Sequence, residues 1–502
     1  MTTTEPRSST SLLNPNHHPL MVRSVISIEA WERFSFYGMQ AILGYFLYFN
    51  IHEGGLGIPT AQATALVGSY GALVYLCTFA GGWLGDRVLG AERTLLSGAI
   101  LLVIGHLAMA SIGLATPPPK AGLALGLLLI ALGSGMLKTA AITILGIAYE
   151  HRDAEREIGF QYFYFGIQIA AICGPLLTGW LALHYSFAAG FSAASFLMII
   201  GLGLYALFRR RSYTELDEQL QAKLHHPISP ATRPARIGMI TGIAALLVLV
   251  GMCVATGAIT PATLAQILLA ATSLTALSLF VLMLRSSKVS SPERKKVRQY
   301  IPIFIGSATF WAIMNQTFGV LAVYSQERVN RTIGSFEIPA SWSQSLNPTF
   351  VILLTVPFAY LWAKLGARNP HPGFKVACGV AIGSCCFFVF IPFAGSGANS
   401  TPYLVLAGAI FIATCGEMLC GPVAMAATGG FSPQAFQTQF SALYFLTMAI
   451  GTAVAGAISP LYDASDATKE LQYFLGCALV GLLIACCCAL TTWKLRGHEQ
   501  VV

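Results

Sequence analysis

The stretch Glu29-Ala30-Trp31-Glu32-Arg33-Phe34-Ser35-Phe36-Tyr37-Gly38 sets three charges inside an apolar run reaching from residue 24 to residue 50. As a helix rising ~1.5 Å per residue, such a run is long enough to cross the ~30 Å hydrocarbon core of a bilayer. A charge at that depth costs at least ~2.5–3.5 kcal/mol and marks a functional position by default. At ~100° per residue, Glu29, Glu32, Arg33, Phe36, Tyr37 and Gln40 fall within ~140° of arc along ~16 Å of helix. One face of this first span is therefore a polar wall, which must look onto a water-filled cavity or onto other helices.

The rest of the chain is of the same kind. Its 502 residues are 55% hydrophobic and 10% charged, with a mean hydropathy of +0.67. Soluble domains run near ~25% charged. This composition excludes a soluble enzyme, a nucleic-acid-binding domain and a disordered scaffold, and leaves an all-α polytopic membrane protein embedded in a lipid bilayer. Apolar runs between turn and charge clusters predict fourteen spans: 24–50, 61–85, 93–114, 121–148, 158–184, 186–208, 237–257, 262–284, 299–325, 345–365, 373–394, 402–427, 433–460 and 470–493. Residues 1–21 are polar and lack the apolar core of a cleaved signal peptide.

With both termini inside, the outer loops hold only Lys120, Arg328, Arg331 and Lys469, and Arg33 and Lys138 lie in spans; the inner side keeps 23 of the 29 Lys and Arg. By the positive-inside rule the net charge of +8 is an orientation signal, predicting a multi-pass protein of the cell membrane with cytoplasmic termini. Basic linkers at 209–236 and 285–298 frame a charge-free pair of spans, 237–284. The short run Thr214 to Glu218 in the first linker reads as a possible amphipathic helix. Removing the pair leaves six spans on each side, 24–208 and 299–493, between a tail at 1–23 and another at 494–502. Twelve core helices in two six-helix bundles, with two extra helices between them, is the layout of the major facilitator fold, whose halves rock about a midplane site. The charge-free pair reads as lipid-facing packing.

Five charges sit well inside spans: Glu29, Glu32, Arg33, Lys138 and Glu417. Mutual neutralisation alone is a weak reason to keep them, since buried ion pairs stabilise little. The twelve cysteines all fall in apolar stretches, and their closest spacings suit neither a metal cage nor a disulfide framework. They read as small packing residues, and no metal or organic cofactor is expected. His106, deep in a span without another charge, reads as packing or as an interhelical hydrogen bond.

These residues carry a family resemblance. Glu29 to Gly38 resembles the ExxERFxYYG motif of the proton-coupled oligopeptide transporters, the POT or PTR family of the major facilitator superfamily, in its bacterial form. Tyr75 resembles the family's second-span tyrosine, Gly82 to Arg93 (GWLGDRVLGAER) the superfamily's inner-loop motif, and Lys138 the fourth-span lysine. Phe163 to Gln168, Phe310-Trp311 with Gln316, Leu346-Asn347-Pro348 and Gly416-Glu417-Met418-Leu419 follow in order. The series covers the whole core. Departures stand at Gln40 and Asn315, which resemble a family salt bridge replaced by amides on both sides. Others are Gln168 for asparagine, Tyr444 for tryptophan and Gly68 for the histidine of animal members.

The resemblance implies a symporter of di- and tripeptides, with protons as the coupling ion. Charge logic agrees with it. A zwitterionic peptide needs opposite charges about one short peptide apart, so Lys138 and Arg33 suit its carboxylate and Glu417 its ammonium. Asn347 and Gln168 would add amide hydrogen bonds, while Tyr37, Tyr75, Gln40, Asn315 and Tyr444 would line the site. Glu29 and Glu32, with Arg33 and Lys138, supply the proton step: burial and neighbouring cations pull a carboxylate's titration in opposite directions. A deprotonated Glu32 would hold Lys138, and protonation would release it for the peptide. The competing reading in the same fold is a carrier of nitrate, another organic anion or a peptide-like drug. A membrane enzyme lacks a catalytic motif, a channel lacks a filter-like loop, and a monomer is expected.

Overall fold

The computed structural model describes residues 18–112, 120–150, 153–213, 218–227, 230–257 and 260–497. Each of the fourteen expected spans falls on helix in its described residues, two of them with an interruption. The first eight are α1 (Leu20–Tyr48), α2 (Thr60–Leu84), α3 (Ala91–Ile112), α4 (Lys120–Ala148), α5 (Asp153–His184), α6 (Phe187–Tyr213), a short α7 (Glu218–His225) and α8 (Arg233–Ala255). There follow α9 (Pro261–Arg285), α10 (Ser291–Met314), α11 (Val320–Glu327), α12 (Leu346–Leu365), α13 (Pro372–Cys385), α14 (Tyr403–Phe431), α15 (Gln437–Ile458) and α16 (Ala467–Gly497). Eleven described helical segments are apolar and long enough to cross a membrane. In lipid the backbone must satisfy its own hydrogen bonds, which is why apolar sequence of this length folds as helix.

Two expected spans are interrupted. The run 299–325 breaks after α10 into a 3-10 turn at Asn315–Thr317 and resumes as α11 past Gly319. The run 373–394 ends as a 3-10 segment, Cys386–Phe393, which contains Pro392. Irregular backbone at membrane depth is tolerated where protein surrounds it; Gln316 and Phe387 are both buried. Helix starts follow local chemistry. Ser290 and Glu293 form a capping box ahead of α10, and the Thr260 hydroxyl caps α9 with Pro261 in its first turn. Of the amphipathic run expected at 214–218, residues 214–217 lie outside the described residues, and α7 begins at Glu218.

By Cα proximity the chain forms two compact units, Met1–Met39 with Cys77–Ala258, and Gln40–Leu76 with Ile259–Val502. Within the first, α3 packs on α4 and α6, and α8 lies on α4. Within the second, α13 packs on α14 and α16, α10 on α15, and α9 on α15. The charge-free pair is thus shared between the units, one helix in each.

Glycines let the helices that matter approach closely. In the first unit a Cβ on Gly133 of α4 would stand 2.7 Å from the Gly98 carbonyl oxygen of α3, and the converse contact is equally tight. In the second unit a Cβ on Gly416 of α14 would stand 2.6 Å from the Gly379 carbonyl oxygen of α13. Small residues at a helix crossing are the usual device where lipid supplies no hydrophobic drive. Here they sit directly before Ser134 and Glu417.

Loops of the second unit are tied together. A parallel bridge pairs β1 (Val329–Asn330) with β4 (Thr401–Pro402), and an antiparallel one pairs β2 (Thr332–Ile333) with β3 (Phe336–Glu337). Arg328 donates to both carboxylate oxygens of Glu470, at 3.1 and 2.7 Å, and to the Phe393 carbonyl. Arg331 pairs with Glu337 at 2.9 Å. Arg328, Arg331 and Glu470 are therefore buried structural charges rather than open loop residues.

Candidate functional site

In the first unit, α1 turns Glu29, Glu32 and Arg33 inward, and all three are buried. The Arg33 Nε is shared: it donates to Glu29 Oε1 at 3.0 Å and lies 2.6 Å from Glu32 Oε2. The guanidinium also stands over the Phe36 ring, 5.3 Å from its centroid. From α4, Ser134 donates its hydroxyl proton to Glu32 Oε1 at 2.7 Å and accepts from Arg33 Nη2 at 3.3 Å. Lys138, one turn further along α4, interacts electrostatically with Glu29, Glu32 and Arg33. Two carboxylates and two cations thus form one cluster, in which Glu29, Glu32 and Arg33 are buried and Lys138 is half-buried. Glu29 Oε2 accepts no hydrogen bond. In this arrangement Arg33 is engaged by the two glutamates and Ser134.

Gln168 on α5 is buried and donates to the Tyr164 hydroxyl at 3.0 Å. Tyr37 is half-buried with its ring edge-on to Phe36.

In the second unit, Glu417 on α14 is half-buried, and its Oε2 accepts from Asn347 Nδ2 of α12 at 2.7 Å. The same Asn347 amide donates to Thr414 Oγ1 at 3.1 Å, and Thr414 in turn donates to Ile410 O. The Asn347 amide nitrogen is therefore committed, which leaves its carbonyl oxygen and the Glu417 carboxylate as acceptors. Beside them, Glu417 and the Trp311 indole both reach to 3.9 Å of where a Gly421 Cβ would stand, and the buried Trp311 Nε1 has no partner. A carboxylate, an amide oxygen and an unspent indole N–H suit a ligand end that both donates and accepts. Tyr444 is buried edge-on to Phe445, and Tyr75 is half-buried on α2.

Gln40 and Asn315 line one small cavity of the second unit, together with Thr64, Gly68 and Thr452. Among the described residues no hydrogen bond joins them. Asn315 closes α10 instead, donating Nδ2 to Trp311 O at 2.8 Å. The Trp311 carbonyl accepts from the Asn315 backbone N–H as well, so one residue donates to it twice at the end of α10. Gln316 next to it accepts from the Tyr473 hydroxyl at 2.7 Å. His106 is fully buried with neither ring nitrogen bonded, which leaves packing and removes the interhelical hydrogen bond.

Sequence reasoning missed Ser134, Thr414 and the Trp311 N–H as members of these clusters. It also missed three further buried carboxylates among the described residues: Glu470, described above, Glu155, and Glu92, which pairs with Arg209 and lies 3.2 Å from His225 Nδ1. A hydroxyl one turn before Lys138 was the available signal for Ser134. A neutral side chain inside an apolar run does not stand out.

A charged cluster buried on membrane-spanning helices of the first unit, and a carboxylate close to Trp311 ahead of the helix break in the second, mark a multi-pass membrane protein. The sequence profile described as POT family matches residues 92–474. The chain is 35% identical over 482 residues to the Di-/tripeptide transporter of Lactococcus lactis subsp. cremoris, covering 93% of each chain. Among solved structures it is similar to the peptide transporter POT in complex with sulfate, with a TM-score of 0.87, 32% identity, and coverage of 98% of this chain and 99% of that one. It is equally similar to a mutant of a peptide transporter POT in complex with alafosfalin, with a TM-score of 0.87, 31% identity and the same coverage. The chain belongs to the POT family and has the major facilitator fold of that family's structures.

Proposed function

We propose that the protein is a proton-coupled symporter that imports di- and tripeptides across the cell membrane by alternating access. The observation that carries the coupling half is the pair Glu29 and Glu32 sharing one nitrogen of Arg33. Two buried carboxylates on one guanidinium have a net negative charge that a proton or a second cation must balance, and Lys138 lies within reach as that cation. When Glu32 takes a proton, Lys138 becomes available to a peptide carboxylate. When it loses the proton, the ion pairs re-form and the carboxylate is expelled. The ammonium end of the peptide goes to Glu417 and the Asn347 carbonyl oxygen. Gln168, Tyr37, Tyr75, Gln40, Asn315 and Tyr444 are the further residues assigned to peptide binding.

Relatives named as peptide transporters support this substrate class. A carrier of nitrate or another small anion has no use for a carboxylate such as Glu417 in its site. One proton moved through 100 mV supplies ~2.3 kcal/mol, about 50-fold accumulation at ~1.4 kcal/mol per tenfold. The bundles at 24–208 and 299–493, the cytoplasmic termini and a monomeric state belong to the same proposal, with the inner excess of Lys and Arg supporting the orientation.

Proteoliposomes with an imposed inward proton gradient test it. Labelled dipeptide should accumulate and should be displaced by a panel of other di- and tripeptides. Gradient-driven uptake of nitrate in place of dipeptide would overturn the peptide assignment.

A further inference from the structure

Ser134 carries no charge, yet it lies at the centre of the charged cluster. It is fully buried, and its one hydroxyl makes both of its bonds to charged groups. A hydroxyl has one proton to give and lone pairs to receive. Arg33 Nη2 occupies a lone pair at 3.3 Å, and an arginine at this position keeps its protons at any working pH. The hydroxyl proton is thereby steered away from Arg33 and onto Glu32 Oε1, 2.7 Å away. Glu29 receives no hydroxyl donor, while the Oε2 of each glutamate accepts no hydrogen bond. The two glutamates, otherwise related by the same arginine, are made unequal by this one side chain.

We propose that Ser134 is a positioning residue for proton coupling: its arginine-oriented hydroxyl holds Glu32 in the carboxylate form and so sets the pH at which the transporter loads its proton. The proposal rests on the coupling role given to Glu32 above. The charged groups facing Glu32 are Glu29 and Arg33 on its own helix and Lys138 on α4. All of them act whether or not Ser134 is present. What Ser134 adds is a hydrogen bond that is stronger to the ionised carboxylate than to the neutral acid, so it favours the ionised form. Once Glu32 carries a proton on Oε1, the acid becomes the donor to Ser134 Oγ, and the serine proton must rotate elsewhere. The backbone carbonyl one turn back on α4 is the usual destination for a serine within a helix. Losing a hydrogen bond to a charged group is worth about a tenfold change in a proton equilibrium, or about one pH unit.

Removing the hydroxyl takes a donor from the carboxylate, so Glu32 protonates more easily and the profile moves to higher pH. The experiment measures potential-driven dipeptide uptake into proteoliposomes against pH for wild type, Ser134→Ala and Ser134→Thr. Ser134→Ala should raise the pH of half-maximal uptake by about one unit, and Ser134→Thr, which restores the hydroxyl, should return it to within a few tenths of wild type. Dipeptide counterflow, which needs no net proton movement, reports whether each variant is folded and binds. A Ser134→Ala midpoint equal to wild type, or a Ser134→Thr midpoint equal to that of Ser134→Ala, with counterflow intact, overturns the role of the hydroxyl. Absence of any proton-dependent uptake by wild type overturns the coupling reading itself, which is a different result.

Discussion

Asn347 donates a single amide nitrogen to both Glu417 Oε2 and Thr414 Oγ1, so that α12 holds the α14 carboxylate at 2.7 Å with its second oxygen unclaimed by that amide. An acceptor fixed in this way favours a cationic partner. For the wild type, N-acetylated dipeptides should compete at least about a hundredfold less well than free ones, because the cap strands a desolvated carboxylate at ~3–5 kcal/mol. In Glu417→Gln that penalty should shrink to a few-fold. Amidated dipeptides should show the converse pattern with Lys138→Gln. A competition assay of free, N-capped and C-capped dipeptides reads all three proteins. Equal competition by free and N-capped peptide in wild type would remove Glu417 from the ammonium role.

Glu32→Gln keeps the shape of the cluster but cannot lose a proton. Gradient-driven accumulation should fall to near background, while counterflow of peptide partly survives. Glu29→Gln should be similar or milder, since Glu29 shares the Arg33 Nε but lacks the Ser134 donor. Undiminished accumulation by Glu32→Gln would exclude it from coupling.

Gln40 is buried and shares a cavity with Asn315, whose amide is turned to Trp311 O. Gln40→Arg alone should lower uptake by about tenfold or more, as it buries an unpaired charge. Adding Asn315→Glu should recover part of the loss, at the cost of the Trp311 cap. Transport by the double variant no better than by Gln40→Arg, with both proteins folded, would mean that the cavity does not let the two side chains meet.

Two glycines of α14 provide an internal comparison. A methyl group at Gly416 would meet the α13 backbone, whereas at Gly408 nothing lies within 4 Å. Gly416→Ala should cost about 1–3 kcal/mol through forced separation of the helices and should weaken dipeptide binding through the adjoining Glu417. Gly408→Ala should be neutral or stabilising by up to about 1 kcal/mol. Thermal unfolding in detergent distinguishes them; equal melting temperatures would disprove the close crossing.

Arg328 and Glu470 are both buried and joined by two hydrogen bonds. Arg328→Ala should destabilise the protein by about 3–5 kcal/mol, since Glu470 keeps its charge without its partner. Arg328→Met with Glu470→Gln should recover a large part, because the amide oxygen can still accept from the Gly395 N–H. Unfolding measurements on the single and double variants test this directly.

The order and length of the spans were legible in the sequence because apolar length is a one-dimensional property: a run long enough to cross lipid has almost no alternative to helix. Glu29, Glu32, Arg33, Lys138 and Glu417 were legible for the related reason that a charge in such a run is costly and therefore conspicuous. Tertiary structure alone decided which groups complete them. Ser134 and Thr414 cost little to place in a membrane helix, so they do not stand out there as a charge does, and the place of Ser134 one turn before Lys138 is the one weak signal. Their roles come from α4 meeting α1 and from α14 meeting α12. The same holds for Asn315, whose side-chain amide turns back to the Trp311 carbonyl at the break after α10, and for Arg328, whose partner Glu470 lies 142 positions away. A hydrogen bond is short-ranged and directional, and its partner is set by how helices cross, which no run of residues specifies by itself.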